Sequence, residues 1–331
     1  MSAEGSTRAV VMALGANLGI AVTKVVAFAL TGSSSMLAEG IHSVADSSNQ
    51  ALLLVGGKRA QRRATAEHPF GYGRERYIYA FIVAIVLFTL GGLFALYEAW
   101  HKIRDPHPIT EWEWVPVAVL LVAIVLEGSA LRTAVKEADR TRGGAGWVRF
   151  VRRSKAPELP VILLEDTGAL VGLVFALAGV GLTLATGDGV WDGVGTGAIG
   201  LLLTVIAVLL ATEVKSLLVG ESATEEHVRA IERAILAGDD VDTVIHMRTL
   251  HLGPDELLVA AKIAIDLDDD ARDVAHAING AEARIREAVP IARLIYIEPD
   301  IFRGGVSTST TAGLPDAARR AGGAPRTGPR G

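Results

Sequence analysis

Two side chains with metal-binding chemistry lie one helical turn apart in a segment that otherwise becomes strongly apolar. His42 and Asp46 occur in GIHSVADSSNQALLLVG, residues 40–56, with the spacing i, i+4. This spacing places them on one face of a helix, where a neutral imidazole and a carboxylate can bind one divalent cation together. On a soluble helix, the simpler interpretation is a pair that stabilises the helix beside a wet crevice. In a membrane span, ionisable groups are costly and usually line a pathway, which favours a functional role.

A second pair of acidic residues, Glu165 and Asp166, lies inside the apolar segment VILLEDTGALVG. Adjacent residues of a helix point about 100° apart, so one of these carboxylates is expected to face His42 and Asp46. His42, Asp46 and Asp166 would supply one nitrogen and several oxygen ligands. That mixed set suits Zn²⁺, and also Co²⁺, Fe²⁺ or Mn²⁺. The fourth ligand is left open between Glu165, Asn49 and water.

The composition indicates that a membrane protein must position these groups. Half of the 331 residues are hydrophobic, and the mean hydropathy is +0.37, which is high for a soluble protein. There is no cysteine, so disulfides, thiolate catalysis and cysteine metal sites are excluded. The net charge of −5 shows no basic excess for nucleic acid.

Six segments are candidates for crossing a bilayer, which takes about 20 predominantly apolar residues. The segment 35–57 is the weakest of them, because its first half is polar. Basic loops at 58–76 and 132–155 alternate with loops that carry few or no basic residues, which predicts six transmembrane helices with both termini in the cytoplasm. Without 35–57 as a span, the N-terminus would lie outside. Lys24, in the first span, is expected to reach the membrane surface or to pair with an acid. The five more apolar segments are 8–30, 77–100, 114–133, 159–185 and 193–219.

After Gly220 the sequence changes to the pattern of a small soluble domain. ATEEHVRAIERAILAG predicts an amphipathic helix with Thr224 as its candidate N-cap. Two alternating segments around Gly253–Pro254 predict a strand pair, followed by a second helix and a last strand, IARLIYIEPD. The prediction is therefore an α-helical membrane protein with a small cytoplasmic α+β domain of order αββαβ. The predicted domains are 1–220, 221–303 and a disordered tail at 304–331.

Several of these stretches together resemble the cation diffusion facilitators, the family of the solute-carrier zinc transporters. ANLGIAVTKVVAFALTGSSSMLAEGIHSVADSSNQ is similar to the family's first two helices and ends in its His-x-x-x-Asp pattern. VILLEDTGALVG and WDGVGTGAIGLLL are similar to its fifth and sixth helices. HPFGYG and LLEDT together resemble the divergent branch that contains the animal mitochondrial zinc exporter. The resemblance covers about residues 8–303.

The resemblance implies a homodimeric antiporter that binds a divalent metal between its second and fifth spans and moves protons the other way. His42 and Asp46 match the metal ligands of the second span, and Asp166 matches the second acid of the fifth. The position four residues before that acid, a ligand in many members, is Ile162 here. Ile162 cannot bind a metal, and Glu165 is the obvious substitute.

An accessory site is also implied by the resemblance, in the loop after the second span. His68 matches one of its ligands, whereas Tyr72 stands where many members have a second histidine.

The soluble domain departs further from the metal-binding members of the family. His246 matches one histidine of their strands, but Lys262 and Glu298 lie near other ligand positions, so a metal cluster is not expected there. His251 and His276 are expected at the surface. The domain is expected to act mainly in dimerisation. Its net charge of −8 over Thr224–Arg303, from 17 acidic and nine basic residues, could gather cations near the cytoplasmic mouth.

The preferred function is export of Zn²⁺ from the cytoplasm, with the metal and protons as the transported partners and no cofactor. Two alternatives stay open: an exporter of Mn²⁺, Fe²⁺ or Co²⁺, and a membrane metal sensor or scaffold that does not transport. An enzyme is not expected, because no HExxH or comparable motif is present in the sequence. The composition and short loops suggest a bacterial plasma membrane.

Overall fold

The computed structural model describes residues 18–110, 112–144 and 146–301. The chain forms two compact units, Met1–Val219 and Gly220–Gly331. The start of the first predicted span and the predicted tail at 304–331 lie outside the described residues.

In the described residues of the first unit, all regular structure is helical. Within the described residues, four of its helices are long and apolar enough to cross a membrane: α3, α4, α6 and α7. The described part of α1 is apolar but shorter, and α2 is long but carries the polar segment noted above. Six spans therefore stay a prediction. The helices are α1 (Leu18–Thr31), α2 (Ser34–Ala60), α3 (Glu75–Arg104), α4 (Trp114–Arg142), α5 (Trp147–Arg153), α6 (Glu158–Thr186) and α7 (Val190–Val219).

The outer surface of this unit carries large apolar side chains. Val122, Val125 and Leu201 are 60%, 71% and 61% exposed. So much exposed aliphatic surface is unfavourable in water and favourable against lipid chains. The apolar exteriors of α4 and α7 are thus those of membrane helices.

The first turn of α2 is held by a carboxylate from α7. Ser33 is the N-cap, and its side chain accepts a hydrogen bond from the Met36 backbone N–H. Asp192 accepts hydrogen bonds from the backbone N–H groups of Ser34 at 2.8 Å and Ser35 at 3.3 Å, and from the hydroxyls of Ser33 and Ser34. The orphan donors of the helix start are satisfied in this way, and the position of α2 is tied to α7.

The middle of α3 is a π-helical segment, Leu87–Leu93. It contains Gly91 and Gly92, and it approaches α7 closely: a Cβ placed on Gly92 would lie 3.1 Å from the backbone nitrogen of Thr204. A Cβ placed on Gly91 would lie 3.7 Å from His42 Nδ1. The π segment, a feature often found at functional sites, therefore lies directly beside His42.

In its described residues, 220–301, the second unit is a three-stranded sheet with two helices. The central strand β2 pairs antiparallel with β1 and parallel with β3. Thr224 is the N-cap of the first helix, as predicted, and Asp270 caps the second in a capping box with Asp273. Apolar side chains of both helices, among them Ile231 and Ile285, bury one face of β2. In chain order the elements are α8 (Glu225–Leu236), β1 (Thr243–Gly253), β2 (Glu256–Ala264), α9 (Ala271–Ala288) and β3 (Ala292–Asp300).

Candidate metal centre

The structure places His42 and Asp46 together on α2, inside the helical unit. His42 Nε2 lies 3.4 Å from Asp46 Oδ2, and the two side chains are 1% and 17% exposed. This distance is longer than an ordinary N–H···O bond. Among the described residues, neither ring nitrogen of His42 has a hydrogen-bond partner, and Asp46 Oδ1 has none either. Buried polar atoms without partners call for an explanation such as an ion.

On α6, Glu165 contacts α2. The Glu165 side chain is buried, and its Oε1 accepts a hydrogen bond of 2.7 Å from Asn49 Nδ2. Asp166, its neighbour, is half-buried. Asn49 lies three residues beyond Asp46, so the two helices meet at a second pair of polar groups about one turn from the first.

These two pairs of groups do not form a complete metal site in this conformation. Within the described residues, no group of three or more histidine and acidic side chains is close enough to hold one ion. His42 with Asp46 on α2, and Asn49 of α2 with Glu165 of α6, are thus two separate polar pairs in this conformation. Ile162, the residue one turn before Asp166, is an apolar side chain packed against the core.

A buried ion pair lies next to this site, and sequence reasoning identified only half of it. Lys24 of α1 is 1% exposed, and its Nζ lies 3.0 Å from Glu39 Oε2 and 2.9 Å from Ser43 Oγ. Of the two alternatives for Lys24, the structure shows the pairing with an acid. The acid is Glu39, whose spacing of three residues from His42 was the signal that it shares the site's face.

His68, the accessory candidate, is exposed in the loop after α2. Its ring stacks on Tyr72 with the centroids 4.6 Å apart, and the guanidinium of Arg62 lies 4.5 Å from the Tyr72 centroid. The described surroundings of His68 are thus an aromatic stack beside a cation. The accessory metal site stays a prediction.

In the second unit, Lys262 forms ion pairs with two carboxylates of the neighbouring strand β3. Its Nζ lies 2.9 Å from Glu298 Oε1 and 3.1 Å from Asp300 Oδ2. Hydrogen bonds to these two carboxylates raise the pKa of Lys262 above its ordinary value. The ammonium therefore stands where a metal ion would have to bind those acids.

The two histidines expected at the surface of the second unit differ. His276 is exposed, but the prediction for His251 is wrong: it is 1% exposed, with Nδ1 3.2 Å from the carbonyl oxygen of Gly253. The imidazole lies against a backbone oxygen two residues further along the strand, which a strand pattern alone does not show.

Apolar helices long enough to cross a membrane, with a buried histidine and carboxylate on α2 between them, are those of a multi-pass membrane protein. The sequence model of the cation efflux transmembrane domain matches residues 10–219. The chain belongs to this cation efflux family, which confirms the resemblance to the cation diffusion facilitators.

Relatives of this chain carry names that describe zinc transport or metal tolerance. The chain is 31% identical over 245 residues to the human "Proton-coupled zinc antiporter SLC30A9, mitochondrial", which covers 73% of this chain and 43% of the human protein. The mouse protein of the same name is 30% identical, with the same coverage. "Metal tolerance protein C4" of Arabidopsis thaliana is 27% identical over 262 residues, 78% of this chain and 57% of the plant protein. The chain thus spans about half the length of these relatives. They are transporters of the cation efflux family and not enzymes.

A solved structure with some likeness is described as "MamM CTD - Copper form". It covers 26% of this chain and 93% of its own chain, with 16% identity and a TM-score of 0.24. A likeness at this level supports no conclusion about the second unit.

Proposed function

We propose that this protein is a Zn²⁺/H⁺ antiporter that exports the metal from the cytoplasm by alternating access. The observation that carries the proposal is the buried pair of His42 and Asp46, in which both ring nitrogens of His42 and Oδ1 of Asp46 lack a hydrogen-bond partner among the described residues. In the proposed arrangement six helices span the membrane, both termini are cytoplasmic, and the soluble domain joins two copies. The membrane is proposed to be a bacterial plasma membrane, although the relatives of this branch are named mitochondrial.

The cargo would be bound by ligands from two helices. His42 contributes an imidazole nitrogen and Asp46 a carboxylate from α2, and α6 contributes Asp166 or Glu165. Glu165 accepts the hydrogen bond of 2.7 Å from Asn49 through one of its two carboxylate oxygens, Oε1, so the other oxygen can serve as a ligand. Small movements of α6 against α2 would bring these groups within reach of one ion. A nitrogen and oxygen ligand set of this kind suits zinc.

Protons would compete with the metal for the same atoms. Histidine and carboxylate ligands must be deprotonated to bind a metal ion, so metal binding and proton binding exclude each other. Histidine is the side chain whose ordinary pKa, about 6.5, lies nearest to neutral pH, so we propose His42 as the proton carrier. Metal would bind from the cytoplasm and be displaced by protons on the other side. We expect His42→Ala to weaken or abolish the coupling to protons.

The proposal is tested by metal flux into proteoliposomes that contain the purified protein. Zn²⁺, Mn²⁺, Fe²⁺, Co²⁺ and Cd²⁺ are each offered with and without a pH gradient. Asp46→Ala and Asp166→Ala should lose transport while they stay folded. Asp105→Ala, whose side chain is 85% exposed, is the matched control and should transport normally. Wild-type rates in both Asp46→Ala and Asp166→Ala would show that the assigned site is wrong.

Two alternative functions are distinguished by the same assay. A preference for Mn²⁺, Fe²⁺ or Co²⁺ would follow if Glu165 completes the site, because an additional carboxylate in place of a histidine favours harder ions. Binding of zinc without flux under any gradient would point to a membrane metal sensor or scaffold.

A further inference from the structure

The ion pair between Lys24 and Glu39 is buried and incompletely satisfied. Glu39 is 0% exposed, and its Oε2 receives the Lys24 ammonium at 3.0 Å. The other oxygen, Oε1, has no hydrogen-bond partner among the described residues. It points toward α6, because a Cβ placed on Gly172 would lie 3.0 Å from it. A buried carboxylate oxygen with no partner is costly unless a cation or a donor reaches it.

Glu39 continues the line of candidate ligands along α2. Glu39, His42 and Asp46 have the spacing i, i+3, i+7, so all three lie on one helical face. On α6, Glu165 faces Asn49, and Gly172 faces Glu39. The glycine leaves a space beside the free oxygen that a larger residue would fill. The polar face of α2 therefore extends one turn beyond the proposed zinc site, towards the end of the helix capped by Asp192.

From this geometry we propose that Glu39 is a further metal-binding carboxylate of the pathway, and that Lys24 is a tethered cation that covers it when no metal is bound. This inference rests on the proposed transport function. The ammonium neutralises Glu39 inside the bundle, where an isolated carboxylate would be very unfavourable. Ser43 of α2, the residue after His42, accepts the second hydrogen bond of Lys24. This bond holds the ammonium of α1 against α2.

Competition between Lys24 and the metal has a direct consequence for transport. A divalent ion that moves from His42 and Asp46 towards Glu39 must displace the ammonium, and the returning ammonium helps to expel the ion. Lys24 thus weakens metal binding and speeds metal release. If the ion pair served only folding, its removal would not both tighten metal binding and slow metal release.

The test compares zinc affinity and transport in Lys24→Gln, Glu39→Gln and the double variant. Zinc affinity is measured by calorimetry on purified protein, and transport by flux in proteoliposomes. Lys24→Gln should bind zinc about tenfold more tightly, a coupling of ordinary size, with a lower KM and a lower maximal rate. Glu39→Gln should bind about tenfold more weakly, since it keeps an unpaired ammonium beside the site. The double variant, which removes both charges, should bind with an affinity between those of the single variants.

Lys102→Gln is the matched control, because Lys102 is also buried but donates to the backbone oxygen of Gly32. Its zinc affinity should equal that of the wild type. The inference is overturned if Lys24→Gln binds zinc no more tightly than wild type, or if the double variant binds as weakly as Glu39→Gln. If Lys24→Gln does not fold, the double variant alone decides between these outcomes. A wild-type protein that neither binds nor moves zinc would instead refute the proposed function.

Discussion

Replacing Asp192 should destabilise the helical unit more than replacing any exposed acid. Its carboxylate is 0% exposed and accepts four hydrogen bonds from the first turn of α2. Hydrogen bonds between membrane helices contribute on average about 0.6 kcal/mol, and loss of a helix cap costs about 1 kcal/mol. Asp192→Ala also leaves buried donors without an acceptor, so we expect the free energy of unfolding to fall by about 3 kcal/mol.

Thermal unfolding of the purified protein in detergent measures this effect. For a unit of this size, about 3 kcal/mol corresponds to a drop in Tm of roughly 6–12 °C. Asp192→Asn keeps the shape and one acceptor oxygen, so its loss should be about half as large. Asp105→Ala is the exposed control and should change Tm by less than about 2 °C. A Tm for Asp192→Ala within about 2 °C of wild type would refute the reasoning that this carboxylate holds the start of α2.

Three further predictions concern the site and the second unit. Gly172→Ala places a methyl group 3.0 Å from Glu39 Oε1 and should weaken zinc binding measured by calorimetry. An unchanged zinc affinity would contradict the proposal that zinc reaches this oxygen of Glu39. Asn49→Leu removes the hydrogen bond to Glu165 and should lower the free energy of unfolding by about 1–2 kcal/mol, which a thermal melt with Ser48→Ala as control can measure. The pKa of Lys262, measured by NMR, should lie above its ordinary value of 10.5. Its ion pairs therefore stabilise the fold below about pH 10, and this stabilisation is lost as the pH rises through the pKa of the folded protein. An ordinary or lower pKa would contradict these contacts.

The part of the site that follows from local helix geometry could be predicted from the sequence. His42 and Asp46 are four residues apart, and any helix brings them to one face. Which of Glu165 and Asp166 faces α2 depends on the rotation of α6, which packing sets. The sequence favoured Asp166 as the ligand, whereas the structure brings Glu165 to Asn49.

Contacts between distant segments could not be predicted, because one sequence carries no information on how its helices pack. The sequence leaves Lys24 either reaching the membrane surface or pairing with an acid, and the choice and the partner depend on the packing of α1 against α2. The cap that Asp192 provides for α2 joins residues 158 positions apart. The cap of α8 at Thr224 depends on a short-range pattern, and that prediction agreed with the structure. The pairing of β2 with both other strands and the cap at Asp270 were not predicted.

Zinc K-edge X-ray absorption on the zinc-loaded protein tests most directly whether His42 and Asp46 hold the metal. We predict a shell of nitrogen and oxygen atoms at about 2.0–2.2 Å, with imidazole scattering that disappears in His42→Ala and persists in His68→Ala. A shell without imidazole in the wild type, or imidazole scattering that survives in His42→Ala, would contradict the assignment of the site.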